Sequence, residues 1–369
     1  MDCGGGGLVS ASQHGGRVHA FARQQHLAVE HVLDLSASIN PLGPPASVLA
    51  ALDPPTPWLR HYPDSDQWEV RQVLGHRFGV DPDTIWCGNG ATEVLDHIVM
   101  VLKPERTWLV EPAFSEYAQV AARHGSAVER VVMAPPFDFP GSQLDAGVSA
   151  NDLVVLNNPH SPSGRAWPRA DWEPCVERWT AHGAWVAVDE AFLDFLADDR
   201  ALSALPLTSA GHVLVMRSAT KMFSLPGLRF GFGVGPRDLV KRVGALRDPW
   251  SVNQLAQVAA AAAYRDDAFL RQTHRWLADE RPWLADAVRR LPGVRVHPGR
   301  ANFLLLEWAS ATMAQDATRR LAADGILIRS LAEWRGLGPR WSRMAVSTRA
   351  NDEHLLDRLR SALSRGGTL

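Results

Sequence analysis

Lysine is scarce in this chain. There are three, Lys103, Lys221 and Lys241, against 35 arginines in 369 residues. Cysteine is equally scarce: Cys3, Cys87 and Cys175 form no Cys-x-x-Cys pair, which argues against a disulfide framework and a zinc knuckle and fits a reducing cytoplasm. No stretch approaches the roughly 20 apolar residues that span a bilayer, so no membrane partner is expected. The start, MDCGGGGLVSASQ, lacks the basic and apolar regions of a secretory signal and reads as a floppy tail. A net charge of −2 gives no electrostatic reason to expect nucleic acid as a partner.

What is present is a long alternation of strand and helix. TIWCGNG, RTWLVEP, DLVVLNNP, AWVAVDE, HVLVMRS and RFGFGVG are short, mostly apolar runs, several ending in polar residues or glycine. Strands buried on both faces of a mostly parallel sheet have this form, with ligand loops at their carboxyl ends. The expected fold class is therefore α/β, with helices on both faces of the central sheet and a smaller α+β domain. The boundaries read as 1–45 for a tail and arm joining the small domain, 46–250 for the large domain, and 251–369 for a connecting helix and the small domain.

In such a chain a retained lysine asks for a reason. Lysine can lose its proton and attack a carbonyl as an amine; arginine cannot. In RSATKMFSLPGLR, Lys221 stands between Ser218 and Arg229, both suited to an anion. An imine-forming lysine beside a phosphate site points to pyridoxal 5′-phosphate. Such an enzyme needs a carboxylate to keep the pyridine nitrogen protonated. Asp189, closing the apolar run AWVAVD, offers one, although alone it reads equally well as a helix cap. CGNGATE turns from strand to helix and aims backbone N–H groups at an anion through Asn89, Gly90 and Ala91. Phe114 in EPAFSEY could stack on a cofactor ring or simply fill core.

The ordered set GNGATE, EPAFSEY, NPHSPSG, VDEAF, RSATK and GLRFG resembles the fold-type I pyridoxal-phosphate aminotransferases over nearly the whole chain. Within them HGG, LSASINPLGPP, HYPD, DEAFLDF and PWSVNQLAQ resemble the threonine-phosphate decarboxylases of cobalamin biosynthesis, whose relatives are the histidinol-phosphate aminotransferases. The resemblance implies that Lys221 forms the Schiff base and shuttles protons, and that Asp189 faces the pyridine nitrogen. Ser218, Arg229 and the Asn89–Gly90–Ala91 backbone would hold the cofactor phosphate, with Phe114 on the ring. It also implies that Tyr62 reaches that phosphate from a second subunit, making a homodimer with shared sites. Arg343 falls at the position that takes the substrate carboxylate, and His14 and Asn40 where the substrate phosphate is met. The substrate would be a small phosphorylated amino acid.

Two departures bear on the cofactor. Ser161 stands where the aminotransferases place an asparagine on the pyridine O3′, and Phe192 where they commonly place a tyrosine. Phe192 and the HGG at 14–16 favour a decarboxylase acting on L-threonine O-3-phosphate over an aminotransferase. A cofactor-binding regulator on the same fold would need a DNA-binding domain ahead of residue 14, and an intact Lys221 speaks against it.

Overall fold

The computed structural model describes residues 15–364, and His14 lies outside them. The described residues divide into two units. One comprises 39–279 and 298–302; the other comprises 15–38, 280–297 and 303–364.

The larger unit is built on seven strands: β1 (Ile85–Gly88), β2 (Arg106–Glu111), β3 (Ala127–Val132), β4 (Leu153–Asn157), β5 (Trp185–Asp189), β6 (Val213–Ser218) and β7 (Gly231–Val234). Their order across the sheet is β1-β7-β6-β5-β4-β2-β3. All run parallel except β7, which is antiparallel to both neighbours. Strands β4 and β6 are buried at every residue because helices cover both faces, which is why they read as unbroken apolar runs. Val94, Ile98 and Val99 of helix Ala91–Leu102 pack with Leu109, Val155, Ala187 and Leu214 of the sheet. Each such valine, leucine or isoleucine contributes about 1.5–3 kcal/mol on leaving water. Trp86 is accommodated by an absence: a Cβ at Gly233 would stand 2.2 Å from its ring.

The parallel strands β1, β2, β4, β5 and β6 point their carboxyl ends the same way. They end at Gly88, Glu111, Asn157, Asp189 and Ser218, so five of the sequence motifs emerge along one edge.

The smaller unit holds a four-stranded antiparallel sheet made of β8 (Val294–Val296), β9 (Phe303–Trp308), β10 (Arg329–Ser330) and β11 (Trp341–Ala345), in the order β10-β11-β9-β8. Residues Leu33–Asp34 pair in parallel with Ile326–Leu327, bringing the N-terminal segment into this unit. The divisions fall at 38 and 279 rather than at 45 and 250. Composition changes at 250, but packing does not. The alanine-rich helix Gln254–Arg265 lies against helices Ala46–Ala51 and Trp68–Phe78 of the larger unit.

One buried carboxyl of the smaller unit should govern its response to pH. Asp352 is fully buried, accepts the Ser347 N–H, and is pushed up to about 7 from 3.8, first by burial and further by Glu280. The folded state thus keeps a proton that the unfolded chain releases, and stability falls as pH rises from about 4 to about 7 and then levels. Asp352→Asn is expected to remove that fall, on the order of 2–4 kcal/mol. Urea midpoints of wild type and variant across this range check it; parallel curves would refute the assignment.

Candidate active site

Lys221 lies in a single helical turn, Ala219–Met222, at the end of β6. Its position is set from both sides. Ser218 caps the turn, its hydroxyl accepting from Thr220 N at 3.3 Å and lying 2.7 Å from Thr220 Oγ1. Asn40 N donates to the Lys221 carbonyl at 3.0 Å, and the Asn40 side-chain amide donates to Met222 O and Thr273 Oγ1, both at 2.8 Å. Asn40 Oδ1 accepts from Leu42 N. The amide expected to meet a substrate phosphate is thus spent inside the protein, where it anchors the lysine turn.

Asp189 ends β5 and is 6% exposed. Oδ2 accepts from Tyr117 Oη at 2.6 Å and Oδ1 from Ala191 N at 2.9 Å. Burial pushes the carboxyl above its ordinary range, while the Tyr117 hydroxyl, the Ala191 N–H and the positive charge of Lys221 pull it back. Tyr117 itself is pushed well above 10 by burial and by the Asp189 charge, so it remains a phenol and a donor. It extends from the first turn of helix Ser115–Arg123, and its ring meets Phe114 edge-on at 5.7 Å. One helical turn thereby carries both the expected ring-stacking phenylalanine and a donor to Asp189. Tyr117 was not singled out in the sequence, although it is one of only three tyrosines.

The anion cradle is assembled from two loops. Gly90 precedes helix Ala91–Leu102 at φ 91°, and a Cβ there would stand 2.8 Å from Arg229 Nη2. Arg229 Nη2 donates to Asn89 O at 3.2 Å, and its own backbone is left-handed at φ 60°, a state costing about 1 kcal/mol or more for a side chain of this kind. The first N–H groups of the helix have no acceptor within it. Asn89 is fixed by Glu93, which accepts from its N–H at 2.6 Å, and by Ser251 O. Amine, buried carboxylate and cradle together fit pyridoxal phosphate: a carbonyl for Lys221, a ring nitrogen for Asp189, a phosphate for the helix terminus.

Ser161 is buried, with its N–H on Asn157 Oδ1 at 2.6 Å, and Asn157 Nδ2 donates to the Asp189 carbonyl at 2.9 Å. Phe192 is buried as well. Tyr62 stands apart from these residues: it is 78% exposed and stacks on Trp250 with centroids 4.8 Å apart.

Arg343 belongs to the smaller unit, on β11. It is buried, donates to Ser36 O at 3.1 Å, and lies over the Phe303 ring. Burial lowers its pKa to about 9, with the Arg329 charge acting in the same direction and Asp34 opposing. Arg329, its register partner on β10, is also buried and is lowered to about 10 by burial. Two buried guanidiniums on facing residues are a strong attraction for anions, and Arg329 had passed unnoticed among 35 arginines. Arg340, which lies near Arg343 in sequence, is half-exposed and ion-paired to Glu307 at 2.7 Å.

The Tyr117 bond yields a prediction. Tyr117→Phe removes a donor from a buried carboxylate, so the Asp189 pKa rises and less of it is ionised at a given pH. Turnover is expected to fall roughly 10–100-fold, the worth of a hydrogen bond to a charged group. The acid limb of the pH–rate profile moves to higher pH. A lower rate with an unmoved acid limb would mean that Tyr117 only supports packing.

The sequence profile of the aminotransferase class I and II family matches residues 30–359. Threonine-phosphate decarboxylase of Salmonella typhimurium is 35% identical over 357 residues, covering 96% of this chain and 97% of that protein. A histidinol-phosphate aminotransferase of Anaeromyxobacter is 29% identical, covering 90% of this chain and 91% of that one. The crystal structure of L-threonine-O-3-phosphate decarboxylase from Porphyromonas gingivalis superposes with a TM-score of 0.81 at 25% identity, over 90% of this chain and all of that one.

Proposed function

The chain belongs to the aminotransferase class I and II family, with the fold-type I architecture and pyridoxal phosphate as cofactor, and from that premise we propose that it decarboxylates L-threonine O-3-phosphate to (R)-1-amino-2-propanol O-2-phosphate. The observation that carries this reading is the end-to-end 35% identity to the Salmonella threonine-phosphate decarboxylase. The paired guanidiniums of Arg329 and Arg343 support it, since the substrate brings two anionic groups, a carboxylate and a phosphate. We assign the enzyme to the cytoplasm and to the formation of the cobalamin nucleotide loop, where the amino alcohol phosphate is consumed.

Bound pyridoxal phosphate supplies an electron sink for the pair released when a bond to the α-carbon breaks. The protein decides which bond that is. Arg343 would hold the substrate carboxylate and so orient the group that departs. Arg329 adds a second cation for the substrate's other anionic end. Asp189 holds the proton on the pyridine nitrogen, with Tyr117 and Ala191 N–H keeping the carboxyl ionised. Lys221 returns a proton to the α-carbon after carbon dioxide leaves. Ser218, Arg229 and the N–H groups that open helix Ala91–Leu102 would hold the cofactor phosphate, whereas the expected Asn89 and Gly90 N–H groups are bonded to Glu93 and to Gly88 O. The exposed Tyr62–Trp250 stack fits a face covered by a second copy of the chain, with Tyr62 serving the partner's phosphate site.

The competing reading is a histidinol-phosphate aminotransferase, favoured by the 29% identity to the Anaeromyxobacter enzyme. Incubation with histidinol phosphate and 2-oxoglutarate separates the two. No glutamate above background is expected, whereas glutamate at turnover rates would replace the decarboxylase. Sedimentation of the same preparation should give a two-chain species; a single-chain species with full activity would remove the shared-site assignment.

A further inference from the structure

Glu93 stands in the first turn of helix Ala91–Leu102, the helix whose opening N–H groups serve the phosphate cradle. A carboxylate at this end stabilises a helix, but it repels a phosphate brought to the same terminus. Its place beside a phosphate site therefore needs a second reason.

The bonds of Glu93 supply one. Oε2 accepts from Asn89 N at 2.6 Å, and both carboxylate oxygens accept from Asn89 Nδ2 at 3.2 Å. In a capping box, the acid at this position returns to the N–H of the residue that precedes the helix. Here that N–H, on Gly90, donates to Gly88 O at 2.8 Å, and Glu93 reaches one residue further back. Asn89 passes the hold on. Its side-chain amide also donates to Ser251 O at 2.9 Å, and its carbonyl accepts from Arg229 Nη2 at 3.2 Å.

Glycine leaves room for the arrangement. A Cβ at Gly88 would stand 3.1 Å from Glu93 Oε2, and one at Gly231 would stand 2.5 Å from Gly90 C and 2.6 Å from Ala91 N. The Gly90–Ala91 peptide thus packs directly on β7, and Glu93 and Arg229 meet at Asn89, the residue before it.

We propose that Glu93 is a positioning residue for the cofactor phosphate. Through Asn89 it fixes the strand-to-helix turn and the Arg229 guanidinium in the arrangement that receives that group. Two effects of Glu93 oppose each other. Its charge acts against the phosphate, whereas its hydrogen bonds order the turn before the cofactor arrives. A charge at a helix terminus changes an equilibrium about 2–5-fold, and hydrogen bonds to a charged group change one about 10–100-fold. The positioning effect therefore decides the sign. The inference concerns the cofactor alone and holds whichever bond to the substrate α-carbon is broken.

The test titrates full-length enzyme, freed of cofactor, with pyridoxal phosphate and separately with pyridoxal. Pyridoxal lacks the phosphate but offers Lys221 the same aldehyde. Binding is read from the absorbance of the bound cofactor, with no substrate present. Glu93→Ala is expected to weaken pyridoxal phosphate roughly 10–100-fold and to leave pyridoxal unchanged. Glu93→Gln keeps one oxygen for Asn89 N but turns an NH₂ toward the Asn89 amide, so its affinity should fall between those of wild type and alanine. If Glu93→Ala does not fold, Glu93→Gln carries the test, weaker than wild type for the phosphorylated cofactor only. An equal loss for both ligands would make Glu93 a structural cap. Unchanged affinity for pyridoxal phosphate, or tighter binding in Glu93→Gln, would leave it no more than a repelling charge. Each of these results would overturn the proposal.

Discussion

Lys221→Ala and Lys221→Arg should be equally inactive, each losing at least ~10³-fold in turnover. Alanine removes the amine; arginine preserves the positive charge beside Asp189 but cannot release its proton or form the imine. That second variant is the sharper one, because the chain uses arginine almost everywhere else that it needs a cation. Borohydride reduction of wild-type holoprotein should leave the cofactor mass on the peptide containing Lys221, and both variants should leave none. The folded protein should survive, since Ser218 capping, the Asn40 bonds and the buried Met222 fix the turn without the lysine side chain. A labelled peptide elsewhere in either variant would move the reactive amine away from Lys221.

Asp189→Asn should separate catalysis from stability. Asparagine keeps an oxygen for the Ala191 N–H and nearly the same volume, but it carries no charge to hold a proton on the pyridine nitrogen. Turnover is expected to drop by roughly 10²–10⁴-fold. The cofactor-free variant, in contrast, should be at least as stable as wild type near neutral pH. The folded-state pKa of Asp189 is raised, so above the ordinary value of 3.8 ionisation favours the unfolded chain. Removing a buried charge at a functional site often stabilises the fold that it burdens. Thermal melts of the apoprotein and kcat on the loaded enzyme read the two effects separately. A large loss of apoprotein stability would make Asp189 a structural residue.

These residues were legible because pyridoxal chemistry admits few substitutes. An amine on an arginine-rich chain, a carboxylate closing an apolar run and a glycine turn before a helix are each local signals, and the parallel sheet sets them along one edge. Tyr117 escaped because its role depends on a partner 72 residues away. Arg329 escaped because nothing distinguishes one arginine in 35 until the β10–β11 register places it beside Arg343. Asn40 was noticed as a ligand, yet its amide faces the lysine turn, a packing fact with no sequence signal.

The fold shows the same division. Buried strands announced themselves as apolar runs. The edge strand β3, with AVERVV, did not, because at the edge of the sheet only Val131 is fully buried and Glu129 and Arg130 interrupt the apolar run. The change of composition at 250 marked the end of the alternating strands, but helix Gln254–Arg265 continues to pack on the larger unit through its alanines.

The central claim is that this aminotransferase-family site breaks the bond to the carboxylate. Carboxyl-¹³C-labelled L-threonine O-3-phosphate, incubated with holoenzyme and no oxo acid, tests it by carbon NMR. The account predicts that the label leaves as carbon dioxide and bicarbonate over many turnovers, in step with formation of the amino alcohol phosphate. Label retained in a 2-oxo acid, or turnover that begins only when an oxo acid is added, would contradict it.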